Sequence, residues 1–557
     1  MNWEKIKIFS SKYIASPRWS LLWLLLLSFL VYGQTISYDY HYLDDNVLIK
    51  DAYFKIKDLT YIDDSFQEGA FHAPEGAELY YRPLLTISFI LDAQWGGSLV
   101  PFHITDIVLH ALTAWLLFLV LIKMKLPRLA ALLFTLVFTL HPLNLQAIAW
   151  LPGRNDPLLA IPMLAGWLFF LKYRHRHKSW SLGLFWLFYI IGLFTKETAV
   201  MLPALALLYL WLIERQHIFG KQSWLIGIPY LILTSGWWWL RGTILPDSVS
   251  TNYDIIGSLS ANFPAVIPYL GKMFLPFNVS TFPVLSDLPL IYGLIVIVGL
   301  AFLLKYSRNV NWRLVIFGAA WWLLFLLPSF LRPLSSLADF SEHRVYLSWL
   351  GIILILWQIN FPWFVNKYRR HIGYAIVTVF LILITLVNIT HAKVYKNSIT
   401  FWQDAVDNSP NSSFNRNNLG AMHYLAGNYS AAAREWQVTL RLNPNEPLTH
   451  NNLGLIYAAT GEYELAEEYY LRELTINPNY TNAHFNLGLL YYNNYQPDKA
   501  AELWIKTLQL NPEYFDAYQY LALYYMEKDE LDKAQELLRE LVARGGIISP
   551  QLESYLE

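Results

Sequence analysis

Two adjacent carboxylates, Asp44 and Asp45, stand in YDYHYLDDNVLIKD (38–51), eleven residues beyond the end of the apolar run WSLLWLLLLSFLVYG (19–33). Neighbouring aspartates repel each other and gain nothing from lipid, so the pair reads as a solvated loop, a helix cap or the reactive part of a site. Other ionisable residues recur where later apolar stretches end: Arg82, His141, Arg154, Asp156, Lys196, Glu197, Glu342 and Arg344. Charges at a membrane boundary are costly and tend to mark sites. A carboxylate can take a proton from an attacking hydroxyl. Arg and Lys can steady a phosphate or pyrophosphate as it leaves. A donor held in the bilayer by a lipid tail, with its phosphate at the interface, needs both. One inverting displacement requires one base rather than the carboxylate pair of a glycosidase. The second aspartate then orients the first, raises its basicity by repulsion, or holds a divalent metal. Helix-end hydrogen bonding is the competing reading for His141 and Asp156.

The elements that must position these residues are membrane helices. The chain has 557 residues, of which 55% are hydrophobic and only 15% charged, with a mean hydropathy of +0.30. A soluble chain carries about 25% charged residues. The deficit falls between about residues 18 and 390; beyond 396 the sequence is polar and rich in Asn, Glu and Tyr. This predicts a polytopic membrane domain (1–395) followed by a water-soluble domain (396–557). A net charge of −1 and the lack of a basic tail argue against nucleic acid, and the absence of cysteine excludes disulfides and thiolate metal sites. No small-x-small cleavage site follows 19–33, which reads as a retained first helix.

Apolar runs predict about eleven spans, near 18–35, 103–123, 128–149, 156–173, 179–195, 197–213, 223–240, 288–305, 313–330, 345–364 and 372–391. The run 261–277, with three prolines, reads as a twelfth span or an interfacial helix. Lys and Arg decide between these, because they gather on the cytoplasmic side. The N-terminus, KMKLPR (123–128), KYRHRHK (172–178), ERQHIFGK (214–221), KYSRNVNWR (305–313) and NKYRRH (366–371) all share one side if 261–277 does not cross. The N-terminus is then cytoplasmic. The loop 36–100, with eleven acidic and four basic residues, and the candidate site residues face outward with the C-terminal domain.

That domain repeats with a period of 34. Leu419-Gly420, Leu453-Gly454, Leu487-Gly488 and Leu521-Ala522 keep the step, as do Asn443-Pro444, Asn477-Pro478 and Asn511-Pro512, Ala432, Ala466, Ala500 and Ala534, and the aromatics Trp436, Tyr470 and Trp504. This is the tetratricopeptide pattern: small residues admit close helix packing, an aromatic fills the space beside them, and proline ends the second helix. Trp402, Ala405 and Pro410 fall in the register of one more second helix, so the last span is expected to lead almost directly into the array and dock it on the outer face. Such a stack presents a concave surface for a peptide or partner protein.

The order of motifs resembles the transmembrane and tetratricopeptide-repeat O-mannosyltransferases, of the GT-C glycosyltransferase class. The matching stretches are YLDDNVLI (42–49), YYRPLLTISFILDAQWGG (80–97) with FHITDIVLHAL (102–112), HPLNLQAIAWLPGRNDPLL (141–159), FTKETAV (194–200), EHRVYLSWLG (342–351) and HAKVYKNSITFWQDAVDNSP (391–410). The resemblance implies an all-α membrane transferase that moves a sugar, mannose or another hexose, from a polyprenyl-phosphate donor to Ser or Thr hydroxyls of a protein, with the repeats binding the acceptor. It implies a base in the first outer loop, carried here to Asp44 with Asp45 beside it. Lys196, Arg154 and Arg344 match positions suited to the donor phosphate, Arg82 to the donor or to loop packing, and His141, Asp156, Glu197 and Glu342 to shaping the site. The family's closing motif runs Glu-Arg directly, whereas here His343 separates Glu342 from Arg344. The short array and the missing cysteines suit a compact relative, at a plasma membrane outer face or periplasm, or in the ER lumen. Two other readings remain: a GT-C transferase acting on a glycan or lipid, and a non-catalytic membrane scaffold.

Overall fold

A computed structural model describes residues 16–71, 80–245, 254–331, 340–360, 370–553 and 555. The N-terminal basic residues up to Lys12 and most of NKYRRH lie outside them. Helix accounts for 77% of the described residues and no strand forms among them, so the fold is all-α. It divides into two compact bodies, Met1–Ser409 and Pro410–Glu557.

In the first body the apolar runs become helices, but they do not all become full spans. Four helices are long and apolar enough to cross a bilayer: Trp19–Ser37, Val100–Lys123, Trp312–Phe330 and His371–Lys396. A fifth results if Arg128–Leu140 and Pro142–Ala149, bent by 56° at the His141-Pro142 break, count as one. Pro83–Ala93, Ser179–Leu193, Glu197–Leu212 and Ile291–Tyr306 are apolar but shorter. The expected count of eleven therefore exceeds what the described helices carry by length and composition. The cause is visible in the chain: many runs are Trp- and Tyr-rich or broken by Pro, which lowers hydropathy and shortens helices. The run 261–277 becomes short pieces, Phe263–Ala265 and Val266–Phe274. Close packing relies on small residues: a Cβ at Gly318 would lie 2.6 Å from the Gly351 carbonyl oxygen, so the helices Trp312–Phe330 and Trp349–Leu356 meet backbone to backbone.

The segment that follows the first membrane-length helix is a folded element. Leu48, Ile49, Ile56 and Tyr61 share one apolar core with Leu85, Phe89 and Ile90 of helix Pro83–Ala93, Phe102 and Leu151. The core seats the Asp44-Asp45 segment on the stretch that carries Arg154 and Asp156.

The second body is four helix pairs: Ser413–Leu425 with Tyr429–Leu442, Thr449–Thr460 with Tyr463–Ile476, Thr481–Asn493 with Pro497–Leu510, and Phe515–Glu527 with Leu531–Ala543. A Cβ on Gly420, Gly454 or Gly488 would come within 2.5, 2.6 and 2.5 Å of Trp436, Tyr470 and Trp504, so glycine is what lets each ring lie on its own partner helix. The same rings reach the next repeat: Trp436 packs with Leu453 and Ile456, and Tyr470 with Leu487 and Leu490. A donor six residues after each turn proline locks the turn. Arg416 Nε, His450 Nε2 and His484 Nε2 each lie 2.9 Å from the carbonyl oxygens of Pro410, Pro444 and Pro478. The incomplete unit, helix Ser398–Asn408, belongs to the first body, where a capping box of Asn397 and Thr400 starts it directly after Lys393–Lys396.

Candidate active site

The candidate residues separate into three groups with different uses. The first is an anchor. Asp45 caps helix Asn46–Asp51 and is fully buried. Its Oδ1 accepts from the Leu43 and Asn46 backbone N–H groups at 3.2 and 3.1 Å, and its Oδ2 from the His41 N–H at 2.6 Å. The His41 ring stands between two oxygens, with Nδ1 3.2 Å from Asp45 Oδ2 and Nε2 2.7 Å from the Tyr395 carbonyl. Trp402 Nε1 donates to the His41 carbonyl at 2.9 Å. Burial pushes the Asp45 carboxyl up, but the His41 hydrogen bond and charge and the backbone donors outweigh it and hold it below the ordinary aspartate value. A carboxylate so committed is a poor base and a poor metal ligand, and the cap reading of this residue is the one that its geometry matches. Asp44, half-buried, presents its backbone carbonyl to the Leu48 N–H at 2.9 Å.

The second group puts Arg154 to a different use from phosphate binding. Its fully buried guanidinium meets Asp106 Oδ1 and Asp92 Oδ2, each at 2.5 Å, and donates to the Phe102 carbonyl at 2.6 Å. Nη1 also reaches the Ser88 carbonyl at 3.3 Å, and the Phe89 ring lies 4.8 Å from Cζ. Two carboxylates and the carbonyls take up this cation, which ties the start of helix Val100–Lys123 to helix Pro83–Ala93. Asp92 and Asp106 were not singled out from the sequence. Asp106 sits in an apolar run with His103 and His110, at i, i+3 and i+7 spacing (103, 106, 110) as on one helix face, and that spacing was the available signal.

The third group gathers cations and carboxylates at helix ends. Arg82 precedes helix Pro83–Ala93 and forms a two-pronged pair with Glu197, Nε to Oε2 at 3.1 Å and Nη2 to Oε1 at 2.5 Å. Lys196, extended at the start of the turn Glu197–Val200, donates to Asp156 Oδ1 at 2.5 Å and Asn155 Oδ1 at 2.7 Å. Asp156 lies in the first turn of helix Asn155–Arg176, where a negative charge is favoured. It also feels Arg82 and Arg344, while Arg241 shares the field of Glu197 and Arg82. His343 joins from the other side: its Nδ1 is 2.9 Å from Gln146 Oε1, and its Nε2 is 3.7 Å from Asp156 Oδ2. Arg82, Lys196 and Arg344 keep some exposure, Glu197 more so.

The remaining two candidates are structural supports. His141 is buried, accepts from the Leu143 N–H at 3.2 Å and meets Trp349 edge-on at 4.7 Å. Glu342 pairs with Lys272 at 2.5 Å and accepts from the Ser280 N–H at 3.0 Å, which pins Val266–Phe274 to the 342–345 turn. Burial raises the Glu342 carboxyl above its usual value against the pull of Lys272. Next to it, Asp404 accepts from the Thr281 N–H at 2.9 Å; burial and the Glu342 charge push it up to about 6. Among the described residues no group of three or more His, Asp or Glu side chains could hold a metal ion.

Fold and site define an all-helical protein with several apolar, membrane-length helices, a folded surface loop and a tetratricopeptide array. The family model for the tetratricopeptide repeat matches residues 420–481 and 485–547. Two relatives from Drosophila melanogaster resemble this chain. Protein O-mannosyl-transferase Tmtc1 is 30% identical over 126 residues, 22% of this chain and 15% of the relative. Protein O-mannosyl-transferase Tmtc2 is 27% identical over 185 residues, 31% of this chain and 20% of the relative. The matches thus span a fifth or less of those relatives' length. Among solved structures, a crystal structure of MamA aligns at 24% identity and TM-score 0.25 over 27% of this chain and 86% of its own. Pseudomonas aeruginosa pilF aligns at 22% identity and TM-score 0.26 over 33% of this chain and 80% of its own.

Proposed function

We propose that this protein is a membrane glycosyltransferase of GT-C type that moves a sugar, mannose or another hexose, from a polyprenyl-phosphate donor to a Ser or Thr hydroxyl of a protein. The observation that carries this reading is the convergence of Arg82, Lys196 and the Arg344 charge on one partly exposed cluster at helix ends. The likeness to O-mannosyl-transferases supports it. Asp44 is the base. The acceptor oxygen attacks the anomeric carbon, the carbon–oxygen bond to phosphate breaks with inversion, and the hydroxyl proton passes to the Asp44 carboxylate. The phosphate leaves with the bonding electrons, and Lys196 and Arg82 steady its added charge. Glu197 and Asp156 hold those two cations in place beforehand, so little reorganisation is needed at the moment of transfer. Asp45 positions the loop and Arg154 braces the floor beneath it; neither touches the reactants. In this scheme the reaction lies on the extracytoplasmic side, under about eleven crossings, with the repeats binding the acceptor protein there.

The test is transfer by the full chain, reconstituted in vesicles with a polyprenyl-phosphate hexose and a Ser/Thr-bearing protein. Transfer is expected to be lost in Asp44→Asn and strongly reduced in Lys196→Ala, with both variants folded. Undiminished transfer by Asp44→Asn overturns the assignment. Removal of 412–557 is expected to stop protein modification while transfer to a short peptide continues.

A further inference from the structure

The first two repeats leave an open cavity of about 630 Å³ between their second helices, Tyr429–Leu442 and Tyr463–Ile476. The turn 443–448 and the start of helix Thr449–Thr460 bound it below. Its floor is apolar and fixed. Leu440, Pro444 and Ile476 line it with Tyr469, whose ring stacks on Tyr457 at 5.2 Å between centroids and lies 5.7 Å from the His450 ring. His450 is itself buried and pinned to the Pro444 carbonyl.

The rim is cationic. Arg441 and Arg472 line the cavity from the two different helices. Arg441 is exposed and makes no hydrogen bond or ion pair among the described residues. Arg472 gives Nη2 to Glu468 at 2.5 Å, an exposed i, i+4 pair that a competing carboxylate displaces at little cost. No carboxylate lines the cavity. The buried acids beside it are already committed: Glu473 accepts from the Leu448 and Asn451 N–H groups at 3.0 and 3.3 Å, and Glu446 from Ser413 Oγ and Asn443 Nδ2 at 2.6 and 2.8 Å. Helix pairing does not demand these rim residues. One repeat of 34 further on, Arg441, Tyr469 and Arg472 are replaced by Thr475, Leu503 and Lys506, and another repeat on by Gln509, Leu537 and Glu540. The paired guanidiniums with an aromatic floor are therefore peculiar to the first interval.

We propose that this cavity docks an acidic peptide segment of a partner protein, with an aromatic or aliphatic side chain set over Tyr469 and flanking carboxylates on Arg441 and Arg472. The volume falls within the range of about 300–1,000 Å³ usual for ligand sites and holds a short run of residues rather than one side chain. Two guanidiniums on separate helices match two carboxylates, which they bind through charge-assisted hydrogen bonds. The exposed amides of Gln437 and Asn445, also on the rim, offer donors and acceptors to peptide groups. An apolar anchor in a fixed pocket beside such charges is the arrangement that concentrates binding energy. This docking does not rest on the transfer reaction, and its failure leaves that proposal untouched.

The experiment uses the full chain in nanodiscs of uncharged lipid and a short fluorescent peptide in which a tryptophan is flanked by glutamates, with binding read by anisotropy. The peptide is expected to bind, more weakly as salt rises, and its glutamine and serine-for-tryptophan analogues to bind poorly. Arg441→Ala, at an exposed residue without partners, is expected to keep the parent's Tm and to weaken binding about tenfold, the loss of one hydrogen bond to a charged group. Lys506→Ala, the equivalent of Arg472 in the next interval, is expected to bind as the parent does. A doubly reversed chain, Arg441→Glu with Arg472→Glu, should instead take a peptide with lysines in place of the glutamates. No binding of the acidic peptide, equal binding of its glutamine analogue, full binding by Arg441→Ala, or an equal loss in Lys506→Ala overturns the proposal. Phosphatidylserine vesicles that displace the peptide through Arg441 make the cavity a headgroup site and overturn it as well.

Discussion

Replacing Asp45 and Asp44 one at a time by asparagine should give different phenotypes, because the structure commits Asp45 as an anchor while the proposed function makes Asp44 the base. Asp45 is buried, and each oxygen is an acceptor: Oδ1 from Leu43 and Asn46, Oδ2 from the His41 backbone and facing its ring. Asparagine can keep the Oδ1 bonds, but its NH2 group would then face the His41 N–H, donor against donor. Two bonds to a charged acceptor are lost, at about 1.5–3 kcal/mol each, and the buried His41 N–H is left without a partner. The cost is about 3–6 kcal/mol, comparable with a whole domain's margin of about 5–15 kcal/mol. His41 also bridges to Tyr395 and Trp402, so the damage should reach the Lys393–Asn408 segment. The assay is thermal unfolding of the purified chain by tryptophan fluorescence, with limited proteolysis at about residues 393–410 as local readout. Asp45→Asn should unfold many degrees lower or expose that segment, whereas Asp44→Asn should match the parent and lose transfer only. Equal Tm values for Asp45→Asn and the parent would refute the anchor argument. The sign with pH follows from the depressed Asp45 carboxyl: its stabilisation is present above the unfolded aspartate value and is lost as pH falls through the folded one.

Asp404 works in the opposite sense: its folded value, about 6 against 3.8, means that ionisation costs the fold up to about 3 kcal/mol. Stability should therefore fall as pH rises from about 4 to 6, and Asp404→Asn should raise Tm by a few degrees at about pH 7.5 but hardly at about pH 4, as differential scanning fluorimetry would show. Arg154→Met leaves Asp92 and Asp106 buried without their cation and should destabilise by about 3–5 kcal/mol, with Asp106→Asn partly restoring the double variant's Tm. An unchanged Tm in Arg154→Met would return this residue to the list of donor ligands. Gly454→Ala brings a methyl to 2.6 Å from Tyr470 and should cost about 1–3 kcal/mol in unfolding, while Ala522→Gly should cost about 1 kcal/mol or less by helix propensity.

The repeats were the most legible part of this chain, and the reason is volume. Along the 34-residue step the ring positions read Trp436, Tyr470, Trp504 and Leu538, and the facing positions read Gly420, Gly454, Gly488 and Ala522. Where the ring gives way to a leucine, the glycine gains a methyl. Sequence displays such a trade directly because both partners lie on adjacent helices at fixed spacing. The ionisable residues were legible as a set but not in their individual roles. Asp45 is marked out by the backbone amides that the turn aims at its carboxylate, and Arg154 differs from Lys196 by meeting two buried carboxylates, Asp92 and Asp106, rather than one, Asp156. Asp106 lies 48 residues from Arg154 in sequence, and His343 lies 187 from Asp156. No local pattern joins such pairs. A residue's type therefore announces a charge at a helix end, while its use is decided by what the fold brings opposite. A cation met by two buried carboxylates, as Arg154 is, holds the structure together, whereas Lys196 pairs with one carboxylate at a partly exposed helix end, where the charge of a ligand could still reach it.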